Sequence, residues 1–148
     1  NVHALGGRKM LEAAREAVSS SAQQTKLIAV TLLTSMAKQD LTELGINESP
    51  EEMVLRLAKM TRDCGLDGVV CSAQEASLLR ENCGEEFCLV TPGIRPAQAN
   101  LDDQSRVMSP VDAINAGSSY LVIGRPVTQA KDPLQALIDI NKELERMP

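Results

Sequence analysis

Short apolar runs and amphipathic helical patterns take turns along this chain, and that alternation limits its fold more than any other feature. The runs are Val2-His3-Ala4, Leu27 to Leu32, Gly68 to Cys71, Glu86 to Val90 and Tyr120 to Ile123. Between them the apolar residues fall close to helical spacing: Met10, Leu11, Ala14 and Val18 mark a helix over Lys9 to Val18, and Met53, Leu57 and Met60 mark another that Cys64-Gly65 stops. Ser49-Pro50-Glu51-Glu52 opens that second helix with a capping Ser, a Pro at the first helical position and a Glu that completes a capping box. Ser72-Ala73-Gln74-Glu75 is a second capping box, with Leu78-Leu79 packing its helix. Ser109-Pro110 starts a helix that Gly117 ends, and Asp132-Pro133 starts the last, where Leu134, Leu137, Ile138 and Leu144 form one face. The polar stretch Met36 to Asn47 has room for one short helical turn at best.

Strands that alternate with helices form a parallel α/β sheet covered by its crossover helices. The continuous apolar run from Leu27 to Leu32 is the pattern of a strand buried on both faces. A doubly wound sheet would carry GxGxxG after a strand, and no such motif is present. A (β/α)8 TIM barrel instead puts functional residues at the C-terminal ends of its strands, with phosphate after strands seven and eight. Such a barrel takes about 250 residues, so a chain of 148 residues is expected to be its C-terminal half, from the end of strand 4 through helix 8. Residues 1–148 then form one partial barrel domain without strands 1–3, since no Pro/Ser-rich linker or low-complexity tract divides them. A half barrel leaves two open sheet edges, which favour pairing or aggregation.

The last two runs end alike. One leads through Val90-Thr91-Pro92-Gly93-Ile94 to Arg95, the other through Ile123 and Gly124 to Arg125 and Pro126. Glycine lets a ligand approach the backbone closely, and arginine offers a planar fork for phosphate oxygens. From one tripeptide, a turn with a solvated Arg is the simpler account of Gly-Arg-Pro. Its position at the final strand end, just before a helix, favours a phosphate site. Thr91 to Met108 is 18 residues of little regular pattern, holding Arg95, Asn100, Asp102, Asp103, Gln104 and Arg106. Loops beyond about 12–15 residues are uncommon unless functional, so a lid over the phosphate is favoured over a surface excursion. Thr34 or Ser35 could hydrogen-bond a ligand carbonyl or amide, but turn chemistry, which these residues favour, is the preferred reading from the residues alone. His3 ends a strand without a partner for a triad and reads as scaffold, while Asp67 precedes a strand and belongs to the stability face. No Lys follows a strand and no paired carboxylates sit at strand ends. The residues alone describe a phosphate binder without a visible catalytic engine.

Other classes fit poorly. A net charge of −5 argues against a general nucleic-acid binder, and Phe87 and Tyr120 are the only aromatics, too few for base stacking. No segment approaches the ~18 apolar residues of a membrane span. Asn1 to Gly7 resembles a strand end and turn more than a signal peptide. Cys64, Cys71, Cys83 and Cys88 form no CxxC pair and are expected as small buried thiols. With His3 the only histidine, no zinc site is expected.

Several segments together resemble the orotidine 5′-phosphate decarboxylase family in its bacterial form: Asn1-Val2-His3-Ala4, Leu33-Thr34-Ser35-Met36, Gly65 to Ser72, Thr91 to Pro96 and Tyr120 to Thr128. The match runs from end to end, and the Gly-Ile-Arg-Pro and Ile-Gly-Arg-Pro pair is specific. The resemblance implies a cytoplasmic, homodimeric (β/α)8 barrel that converts orotidine 5′-phosphate to UMP and CO2 in de novo pyrimidine biosynthesis, with no cofactor, metal, nucleic-acid or membrane partner. By matching motifs, Thr34 would contact the pyrimidine, and Arg95, Gln104, Gly124 and Arg125 would grip the ribose phosphate. Gln104 would come from the closing loop. The family's catalytic Lys and neighbouring Asp residues lie in an Asp-x-Lys-x-x-Asp motif that these 148 residues do not contain. The resemblance therefore implies no catalytic residue here and an inactive chain on its own. The alternatives are a truncated, non-catalytic phosphate- or nucleotide-binding remnant and a related sugar-phosphate decarboxylase.

Overall fold

All five runs become strands in the computed structural model, which describes residues 1–21, 24–96 and 107–146. They are β1 (Val2–His3), β2 (Ile28–Val30), β3 (Gly68–Val70), β4 (Cys88–Thr91) and β5 (Tyr120–Leu121). The strands form one sheet in the order β1-β2-β3-β4-β5, and every neighbouring pair is parallel. Each crossover thus steps one strand along in the same direction, without the reversal that defines a doubly wound sheet. The connecting helices are α1 (Gly7–Ser19), α2 (Lys38–Glu43), α3 (Pro50–Asp63), α4 (Ala76–Cys83), α5 (Pro110–Asn115), α6 (Arg125–Thr128) and α7 (Pro133–Glu145), with short 3-10 turns at Ala4–Gly6 and Ala73–Glu75.

Local chemistry sets the helix starts. The Ser49 hydroxyl accepts from the Glu52 amide at 3.2 Å, and the Glu52 carboxylate accepts from the Ser49 amide at 2.8 Å. Ser72 and Glu75 make the same reciprocal pair, with the Ser72 amide donating to Glu75 at 2.8 Å. Gly65 and Gly117 follow helix ends at φ +76 and +105, a region that L side chains avoid.

Register builds the core. Ala29, Val69 and Leu89 lie side by side on β2, β3 and β4, and all three are fully buried. They share one apolar cluster with Leu57 and Ala58 of α3 and Leu79 of α4. The next row, Val30, Val70 and Val90, points to the other face and is only half-buried. Burial on both faces, expected for β2, therefore holds for the helix-covered face alone among the described residues.

At the strand starts Asp67 ties three strands together, as its place before a strand implied. Its carboxylate accepts from the Leu27 amide at 2.6 Å and from Arg15 Nη1 at 3.3 Å. Its backbone bonds Leu27 and Cys88. Three expectations need correction. The stretch after Met36 forms a six-residue helix, α2, which buries Leu41. The last strand is two residues long where four were expected. The apolar face of α7 lies open: Leu134, Leu137 and Ile138 are exposed, and Ile140 is the buried residue. Among the described residues that helix packs chiefly along α5 and α6, which leaves most of its stripe uncovered. No helix among the described residues is long and apolar enough to cross a membrane.

Candidate functional site

Parallel strands send all their C-terminal ends to one rim. His3, Val30, Val70, Val90 and Tyr120 form one row across the sheet. Arg95 lies five residues beyond Val90 and Arg125 five beyond Tyr120. Thr34 lies four beyond Val30, in the segment that follows β2 on the same rim. The two arginines thus follow adjacent strands by the same number of residues, and the strand ladder extends into the loops through the Val122 amide, which donates to the Thr91 carbonyl at 3.0 Å.

Arg95 is buried, at 8% exposure. Its Nη1 donates to the Ile94 carbonyl at 3.0 Å, and its Nε has no hydrogen-bond partner among the described residues. A buried donor without an acceptor costs about 1–3 kcal/mol, more when charged. A phosphate would supply the missing acceptor and compensate the charge. The backbone holds Arg95 in place: its amide donates to the Met108 carbonyl at 3.0 Å, and Ile94 bridges Met108 in parallel. The two ends of the long loop are therefore pinned together at the rim. Beneath it Ala73, Ile94 and Ala113 form a small apolar cluster, joined by Met108, Leu121 and Ile123. Gln104 and the central part of the expected lid lie outside the described residues.

Arg125 begins α6 and is half-buried. Gly124 before it has φ −97, and no atom lies within 4 Å of where its Cβ would stand. Neither backbone handedness nor internal crowding calls for glycine at this position. Thr34 is buried, at 7% exposure, whereas Ser35 beside it is exposed. His3 is exposed and its side chain caps nothing in the turn that follows.

No group of three His, Cys, Asp or Glu side chains among the described residues could hold a metal ion. The four cysteines are free, with Cys64, Cys71 and Cys88 buried and Cys83 half-buried. Burial pushes the Cys64 and Cys83 thiols above their ordinary range, which keeps both protonated and slow to react. Sequence reasoning did not find the polar contacts that hold β5 against β4, among them the buried hydrogen bond from Thr91 Oγ1 to Ser118 Oγ at 2.9 Å. The Ser118-Ser119 pair before the last strand is its one visible sign, and it looks like ordinary turn chemistry.

A sequential, all-parallel sheet covered by helices, with two arginines at neighbouring strand ends, belongs to the class of (β/α)8 barrel proteins, of which this chain is a part. More narrowly, a model of the orotidine 5′-phosphate decarboxylase / HUMPS family matches residues 1–140, and the chain belongs to that family. It is 62% identical over 146 residues to orotidine 5′-phosphate decarboxylase of Hydrogenovibrio crunogenus, covering 99% of this chain and 62% of that protein. It is equally 62% identical over 144 residues to the enzyme of that name from Chromobacterium violaceum, covering 97% of this chain and 58% of that protein. The chain thus spans about three fifths of the length of the curated relatives it matches. The crystal structure of orotidine 5′-phosphate decarboxylase from Lactobacillus acidophilus superposes with a TM-score of 0.79 at 42% identity, covering 95% of this chain and 60% of that one. The Sulfolobus solfataricus structure, at 23% identity and TM-score 0.64, covers 97% of this chain and 60% of that one and shares the fold.

Proposed function

We propose that these residues are the phosphate- and pyrimidine-binding part of an orotidine 5′-phosphate decarboxylase, acting on orotidine 5′-phosphate and releasing UMP and CO2 in pyrimidine biosynthesis. The observation that carries this reading is Arg95, buried at a strand end with an Nε unfilled among the described residues, with Arg125 following the next strand. Arg95 and Arg125 grip the 5′-phosphate, and the open backbone at Gly124 lets its oxygens come close. Gln104 reaches the phosphate from the loop pinned at Ile94 and Met108. Thr34, two strands away on the same rim, meets the pyrimidine. The working protein is a cytoplasmic homodimer without a cofactor.

In the reaction the bond between pyrimidine C6 and the carboxylate breaks, CO2 departs, and the electron pair left on C6 takes up a proton. No residue of this chain is assigned to deliver that proton. Its residues hold the remote phosphate, and that binding energy drives closure and desolvation at the ring. Arg125→Ala provides the test. Charge-assisted hydrogen bonds are worth about 1.5–3 kcal/mol, so UMP affinity by calorimetry should fall about 10- to 100-fold while uridine affinity stays the same. Equal losses for both ligands would make Arg125 a fold residue and overturn the phosphate assignment.

A further inference from the structure

A third arginine works at the opposite end of the same two strands. Arg80, in the last turn of α4, has a side chain only 13% exposed. Its Nε donates to the Gly117 carbonyl at 2.8 Å. Its Nη1 is close to the carbonyls of Gly84, Glu85 and Phe87, at 3.1, 2.7 and 2.6 Å. Its Nη2 donates to Ser119 Oγ at 2.7 Å. That hydroxyl also accepts from the Leu89 amide at 3.0 Å, while the Ser119 amide donates to the Leu89 carbonyl at 2.8 Å. Gly117 closes against the same side chain, since a Cβ there would stand 2.6 Å from Arg80 Cγ. One guanidinium thus fastens the turn into β4 to the turn into β5.

That fastening adds to the buried hydrogen bond from Thr91 Oγ1 to Ser118 Oγ and to the Val122–Thr91 backbone bond in fixing β5. The strand is two residues long and pairs with β4 through Val90 with Tyr120 and Thr91 with Leu121. A slip of one residue would move it about 3.3 Å and turn each side chain to the other face. Arg95 and Arg125 lie four residues beyond the paired Thr91 and Leu121, so the segments that carry them start from this register. We propose that Arg80 is a positioning residue which, through Ser119, locks the β4–β5 register and so sets the distance between the two rim arginines. This inference rests on the rim being a phosphate site. Lysine cannot substitute, because a single ammonium lacks the planar fork that spans both turns.

Arg80→Lys and the milder Ser119→Ala, made in the whole chain, test the lock with two readouts. The first is hydrogen exchange at Val122, whose amide bonds Thr91, against Thr31, whose amide bonds Val70 at 3.1 Å. The second is the ratio of UMP to uridine affinity by calorimetry. Val122 should lose protection at least tenfold while Thr31 keeps its own, and the ratio should fall at least fivefold. A general loss of stability would expose both amides and leave the ratio unchanged. That result overturns the inference, as does intact Val122 protection, or local loss with an unchanged ratio. If the unaltered chain fails to prefer UMP over uridine, the phosphate reading fails, and exchange alone decides the register lock.

Discussion

α3 and α7 are nearly equal in length and differ sharply in surroundings. Both start on a capped N-terminus, from Ser49 in one and from Asp132, which accepts from the Gln135 amide at 3.0 Å, in the other. α3 buries Met53, Val54, Leu57, Ala58 and Thr61, while α7 buries Ile140. The reason is location. α3 lies over β2 and β3 with α1 and α4 beside it, whereas α7 packs chiefly on α5 and α6 among the described residues. An amphipathic stripe states that a helix needs a partner, and the tertiary fold decides whether one is there. The candidate phosphate site belongs to the α7 side, where β5 pairs with β4 over two residues. Binding there depends on side-chain contacts more than on a deep core.

Substitutions can break this contrast or sharpen it. The largest expected effect is Leu57→Ala, which removes a buried side chain and should cost about 2–5 kcal/mol. Leu134→Ala on α7, at 68% exposure, should stay within about 0.5 kcal/mol. Urea unfolding measures both, and similar costs would erase the contrast. Two glycines come next. A Cβ at Gly68 would overlap the Cys88 carbonyl oxygen, part of the backbone, so Gly68→Ala should destabilise by about 1–3 kcal/mol or more. Gly124→Ala meets no protein atom. It should leave the urea midpoint unchanged and weaken UMP binding, and unaltered UMP affinity would remove Gly124 from the site.

The smallest effect concerns pH. The hydrogen bond from the Ser49 backbone, then that from its hydroxyl, holds the Glu52 carboxyl below its ordinary value of 4.5. A folded value below the unfolded one stabilises the protein above the unfolded value, and this stability is lost as pH falls through the folded value. Glu52→Gln should therefore flatten the acid side of the stability curve and leave the rest in place. An unchanged acid limb would show that the α3 capping box contributes no linkage.

Caps, strand positions and the parallel order were legible in the sequence because each is written locally, in a Ser-Pro-Glu or a short apolar run. The exposed stripe of α7 and the half-buried Val30, Val70 and Val90 were not, since burial depends on which elements lie opposite. The site divides in the same way. Arg95 and Arg125 stood out because each follows glycine after an apolar run. The burial of Arg95 and its unfilled Nε exist only once β4 and the Met108 segment meet. Arg80 left no trace in the sequence, where it looks like any cation in the last turn of a helix.

The most direct measurement is a UMP titration of the isotopically labelled chain, followed by amide chemical shifts. The expected shifts gather at Gly93–Arg95 and Ile123–Val127 on the strand-end rim, with Asp67 and Gly84–Phe87 at the opposite end unmoved. Shifts centred on that opposite end, or none at the two arginine segments under saturating UMP, would contradict the assignment of the β4–β5 rim as the phosphate site.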